Sequence, residues 1–215
     1  MKARTDQPVE DRHLAQRHLD RMVMLSDGIF AIAITLSAIE LKPQMGDGKT
    51  LWQAWSVPLL VYFISFFIIG QLWLMHRRML AHLRDIDSVG AAINLLLLSL
   101  VSLMPVIIRF ALTEGRGNES TQVYALGLAV TYAWMGVLWG YLAFIAKLAP
   151  DVSRGLALSW LYRTFFIVLA FLAVMFYASG LRALGMTCLG AGLVLRIMSA
   201  RSGREEKPAA QAAGE

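Results

Sequence analysis

Six long apolar windows, separated by short polar segments, leave this chain few folds that it can adopt. They cover residues 22–41, 57–75, 89–108, 123–146, 158–177 and 181–198. Each window has about the 20 residues that a helix needs to cross the hydrocarbon layer of a membrane. Only 16% of the residues are charged, against about 25% in soluble domains. Alternating strands typical of a barrel are not seen, so the sequence predicts an all-α membrane protein with six transmembrane helices.

The basic residues predict the orientation of these helices. Fifteen of the 20 Lys and Arg residues flank the windows on one side of the membrane, and five on the other. The positive-inside rule then places both termini in the cytoplasm, and an even number of spans agrees, because it puts both termini on one side. We expect a polar cytoplasmic N-terminus (1–20), a transmembrane domain (21–200) and a disordered cytoplasmic C-terminus (201–215). The net charge of +5 follows from this topology and requires no nucleic-acid partner.

The first window carries an ionisable residue, Asp27, just inside its first end. A carboxylate near the bilayer costs several kcal/mol unless it is paired or hydrated, so Asp27 is a candidate functional residue. One interpretation is that Ser26 or Asp27 caps the start of a helix. The other is that Arg21 and Asp27 join a polar cluster at the cytoplasmic mouth. Its candidate partners from other helices are His76, Arg77 and Asn94.

The same window contains an apolar stripe formed by Ile32, Leu36 and Ile39, with Thr35 at its edge. These residues share one face of a helix. If several copies of the helix surround an axis, the stripe forms stacked apolar rings that constrict a pore, and the threonine hydroxyl replaces part of an ion's water. The alternative is that the stripe faces lipid or packs in a core, which is the commoner meaning of such periodicity.

Motifs of soluble enzymes are not found in this sequence. It contains no P-loop, no Gly-x-Ser-x-Gly, no His-Glu-x-x-His and no Cys or His pair with metal-ligand spacing. His76 and His82 are six residues apart, which does not place them on one helix face. We therefore expect neither enzymatic activity nor a cofactor.

The segment that begins Arg21-x-x-x-Leu25-Ser26-Asp27 resembles the first helix of the transmembrane protein 175 family of potassium channels. That family's signature is Arg-x-x-x-Phe-Ser-Asp followed by an apolar helix. The resemblance extends to Trp-x-x-His at 73–76 and to the Asn-Leu-Leu-Leu-Leu run at 94–98. Leu25 stands where phenylalanine is usual, an apolar exchange that affects local packing only.

The resemblance implies a prokaryotic six-helix channel, a homotetramer in which the first helices line a central pore. Ile32 would form the narrowest ring, with Leu36 and Ile39 above it, and Thr35 would offer hydroxyls to a partly dehydrated potassium ion. A structural motif at the pore mouth would comprise Arg21, Leu25, Ser26, Asp27, His76 and Asn94. The implied partners are other copies of the chain and lipids of the prokaryotic plasma membrane.

The expected function is therefore passive conduction by a potassium-permeable cation leak channel with a hydrophobic constriction. The main alternative is a proton- or cation-coupled secondary transporter that uses Asp27. Such a transporter would be expected to contain broken helices in matched halves, and the sequence shows none. A membrane scaffold is a third possibility, for which the sequence offers no positive feature.

Overall fold

The computed structural model describes residues 9–39, 41–46, 48, 50–111 and 117–202, with side chains described from residue 16 onward. Most of these residues form six α-helices: α1 (Val9–Ile39), α2 (Leu51–Leu80), α3 (Ser88–Arg109), α4 (Asn118–Gly140), α5 (Arg154–Ala178) and α6 (Arg182–Ser202). A π-helical turn, Tyr141–Ile145, extends α4. The predicted disordered C-terminus lies outside the described residues from position 203 onward.

Within the described ranges, six helices are long and apolar enough to cross a membrane. They are Gln16–Ile39 of α1, α2, α3, α4 together with its π-helical turn, α5 and α6. The prediction of six apolar helices is thereby confirmed. Several exceed the bilayer: the 30 residues of α2 rise about 44 Å, compared with roughly 30 Å of hydrocarbon.

Side-chain caps mark the beginning of three helices. Thr50 and Gln53 form a reciprocal capping box at the start of α2, in which each side chain bonds the other's backbone N–H. Asp87 and Ser153 each accept a hydrogen bond from the backbone N–H three residues later, at α3 and α5. These contacts fix where the chain leaves each loop.

The helices pack in an order that differs from their order in the chain. Helix α1 lies against α2 and α3, α3 against α4, α4 against α5, and α6 mainly against α5. The centre of the core lies between α3 and α4, where Leu97, Val101, Met135, Leu138 and Trp139 are fully buried. Among the described residues, this packing leaves one side of α1 without a neighbouring helix.

Candidate functional site

Helix α1 has two faces with opposite properties. Its packed face consists of Leu19, Ser26, Phe30, Ala33 and Ser37, all buried against neighbouring helices. These residues follow the spacing of one helix face.

Its exposed face consists of Leu25, Ile32, Thr35, Leu36 and Ile39. Ile32 is 57% exposed, Leu36 41% and Ile39 72%. The interpretation of the stripe as core packing within one chain is therefore wrong, because all three side chains are exposed. This face can then line a pore or contact lipid.

A chain of hydrogen bonds joins the packed face to α2 and α3. The Ser26 hydroxyl donates to the Met22 carbonyl oxygen at 2.8 Å, so its oxygen is free to accept. The Asn94 side-chain amide (Nδ2) donates to this oxygen at 3.2 Å. The Asn94 carbonyl oxygen (Oδ1) then faces His76 Nε2 at 2.7 Å. Because an amide oxygen can only accept, His76 carries its proton on Nε2 in this arrangement.

All three members of this chain are shielded from solvent. Ser26 and Asn94 are fully buried and His76 is 1% exposed. The Phe30 ring closes one side of the cluster, with its centroid 5.3 Å from that of the His76 ring. Buried polar groups are stable only when hydrogen-bonded. The mutual satisfaction of these three side chains therefore fixes α1, α2 and α3 at one depth and rotation.

Asp27 is held by a second contact from α2. The Trp73 indole N–H donates to Asp27 Oδ1 at 2.7 Å. The Arg77 guanidinium lies over the Trp73 ring, 5.5 Å from its centroid. The indole thus contacts the carboxylate through its edge and the cation through its face, so one aromatic ring holds both charges.

The structure brings together some of the residues predicted for the pore mouth and leaves others apart. Ser26, His76 and Asn94 form one cluster, and Asp27 lies beside it. Arg21 is exposed, and within the described residues no ion pair or hydrogen bond joins it to the cluster. Leu25 lies on the exposed face.

The capping interpretation of Ser26 and Asp27 is wrong. Helix α1 begins at Val9, so both residues lie well inside it. The Ser26 hydroxyl bonds the carbonyl four residues earlier, which is a pattern of helix interiors rather than of helix starts.

Two contributors were not predicted as members of the cluster. Trp73 precedes His76 by three residues on α2, and Phe30 follows Ser26 by four on α1. These spacings place each on the same helix face as its neighbour. The indole N–H, a donor with no accepting capacity, was the available signal that Trp73 would bind a carboxylate.

Thr35 has a defined donor and acceptor arrangement on the exposed face. Its hydroxyl donates into the helix, to the carbonyl oxygens of Ala31 at 2.9 Å and Ile32 at 3.1 Å. The proton is thereby committed to the backbone, while the lone pairs of the oxygen remain available outside the helix. This arrangement is suited to a cation and not to an anion. Within the described residues, no group of three His, Cys, Asp or Glu side chains could hold a metal ion.

Residues 21–105 match the family described as "Endosomal/lysosomal potassium channel TMEM175". A protein of Streptomyces collinus named as a potassium channel is 31% identical over 130 residues, covering 57% of this chain and 63% of that protein. A protein of a Chryseobacterium species, also named as a potassium channel, is 29% identical over 111 residues, covering 52% of this chain and 58% of its own length. The chain thus matches less than two thirds of either relative.

A solved structure has the same fold. The crystal structure described as a lysosomal potassium-selective channel TMEM175 homolog from Chamaesiphon minutus superimposes with a TM-score of 0.61 at 21% identity. The match covers 86% of this chain and 99% of the other. The resemblance predicted from the sequence is confirmed, and the family match spans the helices α1 to α3 that share the buried cluster.

Proposed function

We propose that this chain, whose residues 21–105 belong to the TMEM175 family, forms a passive potassium-permeable channel. Two relatives carry the name potassium channel, and six helices are suited to crossing the membrane. The proposed location is a prokaryotic plasma membrane, with both termini in the cytoplasm as the distribution of basic residues predicts.

The observation that carries this proposal is the exposed face of α1. An apolar face beside a tightly anchored packed face needs a partner or lipid to cover it. In a homotetramer with α1 at the axis, four copies of this face surround a common path. Other copies of the chain and membrane lipids are then its partners, and potassium is a permeant species rather than a bound cofactor.

The path would narrow at Ile32. Rings of Ile32, Leu36 and Ile39 succeed one another at about 6 Å and then about 4.5 Å along the helix axis. An apolar ring gives a cation no substitute for its water, so the ring limits conduction and closes by dewetting when it is narrow enough. The Thr35 hydroxyls lie between the first two rings in projection and offer oxygen lone pairs to a partly dehydrated ion.

The buried cluster acts as a brace in this proposal. A change of a few tenths of an ångström in helix position alters the diameter of an apolar constriction. The hydrogen bonds among Ser26, Asn94 and His76, and the bond from Trp73 to Asp27, hold α1 against such displacement.

Flux from potassium-loaded liposomes tests the proposal. Purified protein should dissipate the potassium gradient once a protonophore supplies a counter-ion path, without ATP and without an exchanged substrate. Ile32→Asn should raise this flux, whereas Ile197→Asn should leave it unchanged. Ile197 is a matched control because it is an exposed isoleucine on α6, which packs mainly against α5.

The outcome also separates a channel from a coupled transporter. Flux that saturates, requires a proton gradient and disappears in Asp27→Asn would contradict the channel. Flux that is unaffected by both Ile32→Asn and Ile32→Phe in assembled protein would remove α1 from the conduction path.

A further inference from the structure

A second polar site lies away from α1, between the ends of α2 and α5 that are predicted to face the cytoplasm. Its cavity of about 240 Å³ is lined by Gln71, Leu74, Met75, Arg78, Met79, Trp160 and Arg163. Two arginines and an amide thus share a pocket with apolar side chains. The volume is below the roughly 300–1,000 Å³ of pockets that enclose drug-sized ligands, so it suits a small polar group rather than a whole lipid.

Among the described residues, no carboxylate pairs with the arginines of this cavity. Within the described part of the chain, the ion pair is Arg84 with Asp151, and neither Arg78 nor Arg163 takes part in one. Guanidinium groups without a counter-ion attract planar or tetrahedral oxyanions, which they bind with two parallel N–H donors. The cavity therefore has an excess of positive charge and of donors.

Arg163 lies at an unusual depth for a surface arginine. It follows Arg154, the first residue of α5, by a helical rise of about 13 Å. The 25 residues of α5 rise about 37 Å, so a centred helix places the Arg163 backbone about 10 Å inside the hydrocarbon boundary. A charge there is stable when its side chain reaches the headgroup layer and finds an anion.

Trp160 forms a rigid wall of the cavity. Its ring lies 5.3 Å from that of His82 and 5.1 Å from that of the buried Trp139. Trp160 lies three residues, about 4.5 Å, nearer the membrane surface than Arg163, and tryptophan is enriched near that interface. Leu74, Met75 and Met79 supply the apolar side of the pocket, which suits the glycerol and upper acyl region of a lipid.

We propose that this cavity binds the phosphate of an anionic phospholipid from the cytoplasmic leaflet, with Arg78 and Arg163 as its ligands. Anionic lipids are enriched in that leaflet, and basic pockets between transmembrane helices on that side bind such headgroups. The proposal concerns lipid binding, and it holds whether or not α1 lines a pore.

The test is native mass spectrometry of the full chain, delipidated in a non-ionic detergent. Palmitoyl-oleoyl phosphatidylglycerol is titrated in one arm and phosphatidylcholine with the same acyl chains in another. Glycerol 1-phosphate forms a third arm, which represents a free phosphate. Phosphatidylglycerol should bind more tightly than phosphatidylcholine, and glycerol 1-phosphate should not displace it at equal concentration.

Paired substitutions assign the binding to the cavity. R78Q/R163Q should weaken phosphatidylglycerol binding about 30-fold, since each basic residue near an anionic headgroup contributes about a factor of five. R154Q/R201Q removes the same charge from exposed positions outside the cavity and should change binding less than about twofold.

Several results would overturn the proposal. Equal losses in the two paired variants would mean that lipid binds the charged surface at large. Displacement by glycerol 1-phosphate would identify a free anion as the ligand. A lower subunit count for R78Q/R163Q in lipid-free detergent would mean that another copy of the chain closes the cavity. If R78Q/R163Q does not purify, Arg163→Lys is tested instead. We expect it to weaken phosphatidylglycerol binding about threefold, and wild-type affinity in Arg163→Lys would refute the assignment.

Discussion

The two faces of α1 use different chemistry along the same stretch of helix. On the packed face, Ser26 bonds a polar partner from another helix, and Phe30 and Ala33 lie against apolar neighbours. On the exposed face, one to three residues away, Ile32 and Leu36 are 57% and 41% exposed, and among the described residues the Thr35 hydroxyl bonds only its own backbone. Contacts on the packed face set the position of α1, whereas side chains on the exposed face are left free to contact an ion, lipid or another chain.

This difference separates positioning from conduction in the proposed channel. Substitutions on the packed face should change stability and assembly first, and currents only as a consequence. Substitutions on the exposed face should change currents in protein that folds normally. Each of the following experiments tests one of the two faces.

The largest effect is expected for Asn94→Ala on the packed side. The change leaves the His76 N–H and the Ser26 oxygen without their partner in a fully buried site. Each unsatisfied group costs roughly 1–3 kcal/mol, so the free energy of unfolding should fall by roughly 2–6 kcal/mol. Chemical denaturation in detergent measures it, with the exposed Asn118→Ala as control. Equal stability of the two variants would show that the cluster does not anchor α1.

A smaller loss is expected when the contact between Trp73 and Asp27 is broken. Trp73→Phe keeps a ring beneath Arg77 and removes the donor to the carboxylate. Trp73→Phe should cost roughly 1–3 kcal/mol, and Asp27→Asn, which replaces a charge-assisted hydrogen bond by a neutral one, about 1 kcal/mol; both should reduce the tetramer fraction in detergent. Their combination should cost less than the sum of the two.

The exposed Asp20→Asn is the control for this pair, since Asp20 lies on the same helix outside the cluster. A stable Asp27→Asn tetramer that loses pH-coupled movement of substrate would favour the transporter instead of a brace.

On the exposed face, Ile32 should control the rate of conduction. Ile32→Asn should hydrate the proposed narrowest ring and raise potassium flux on the order of tenfold, which corresponds to about 1.4 kcal/mol of barrier. Ile32→Phe should lower the flux. Both variants should unfold with the wild-type free energy within about 0.5 kcal/mol, as exposed substitutions usually do. A loss of stability comparable with Asn94→Ala would place Ile32 in a packing role.

The smallest effect is expected at Thr35, where only selectivity should change. Thr35→Val keeps the shape and removes the oxygen, so the preference for potassium over sodium should fall roughly threefold, within the range of one hydrogen-bond-sized interaction. Reversal potentials under mixed-ion gradients measure this. Thr187→Val is a matched control, because Thr187 is an exposed threonine on α6 that also donates to its own backbone. An unchanged reversal potential in Thr35→Val would assign selectivity to the apolar rings alone.

Most of the fold could be predicted from the sequence because membrane spans depend on local composition. A window of about 20 apolar residues must be helical in lipid, since every backbone polar group has to be satisfied within the segment. The six predicted windows accordingly fall within the six long apolar helices of the structure to within a few residues. The resemblance of residues 21–105 rests on short motifs and could also be recognised from sequence.

Tertiary structure decided which side chains meet. The residue pattern alone offered His76, Arg77 and Asn94 equally as partners for the first helix, and the family resemblance favoured His76 and Asn94. Neither excluded that Ser26 or Asp27 caps the start of a helix. Only the packing of α1 between α2 and α3 directs Asn94 to Ser26 and Trp73 to Asp27, and turns Arg77 onto an indole ring. Composition determines that a segment is a helix, whereas its rotation and depth depend on three helices satisfying one another's buried polar groups.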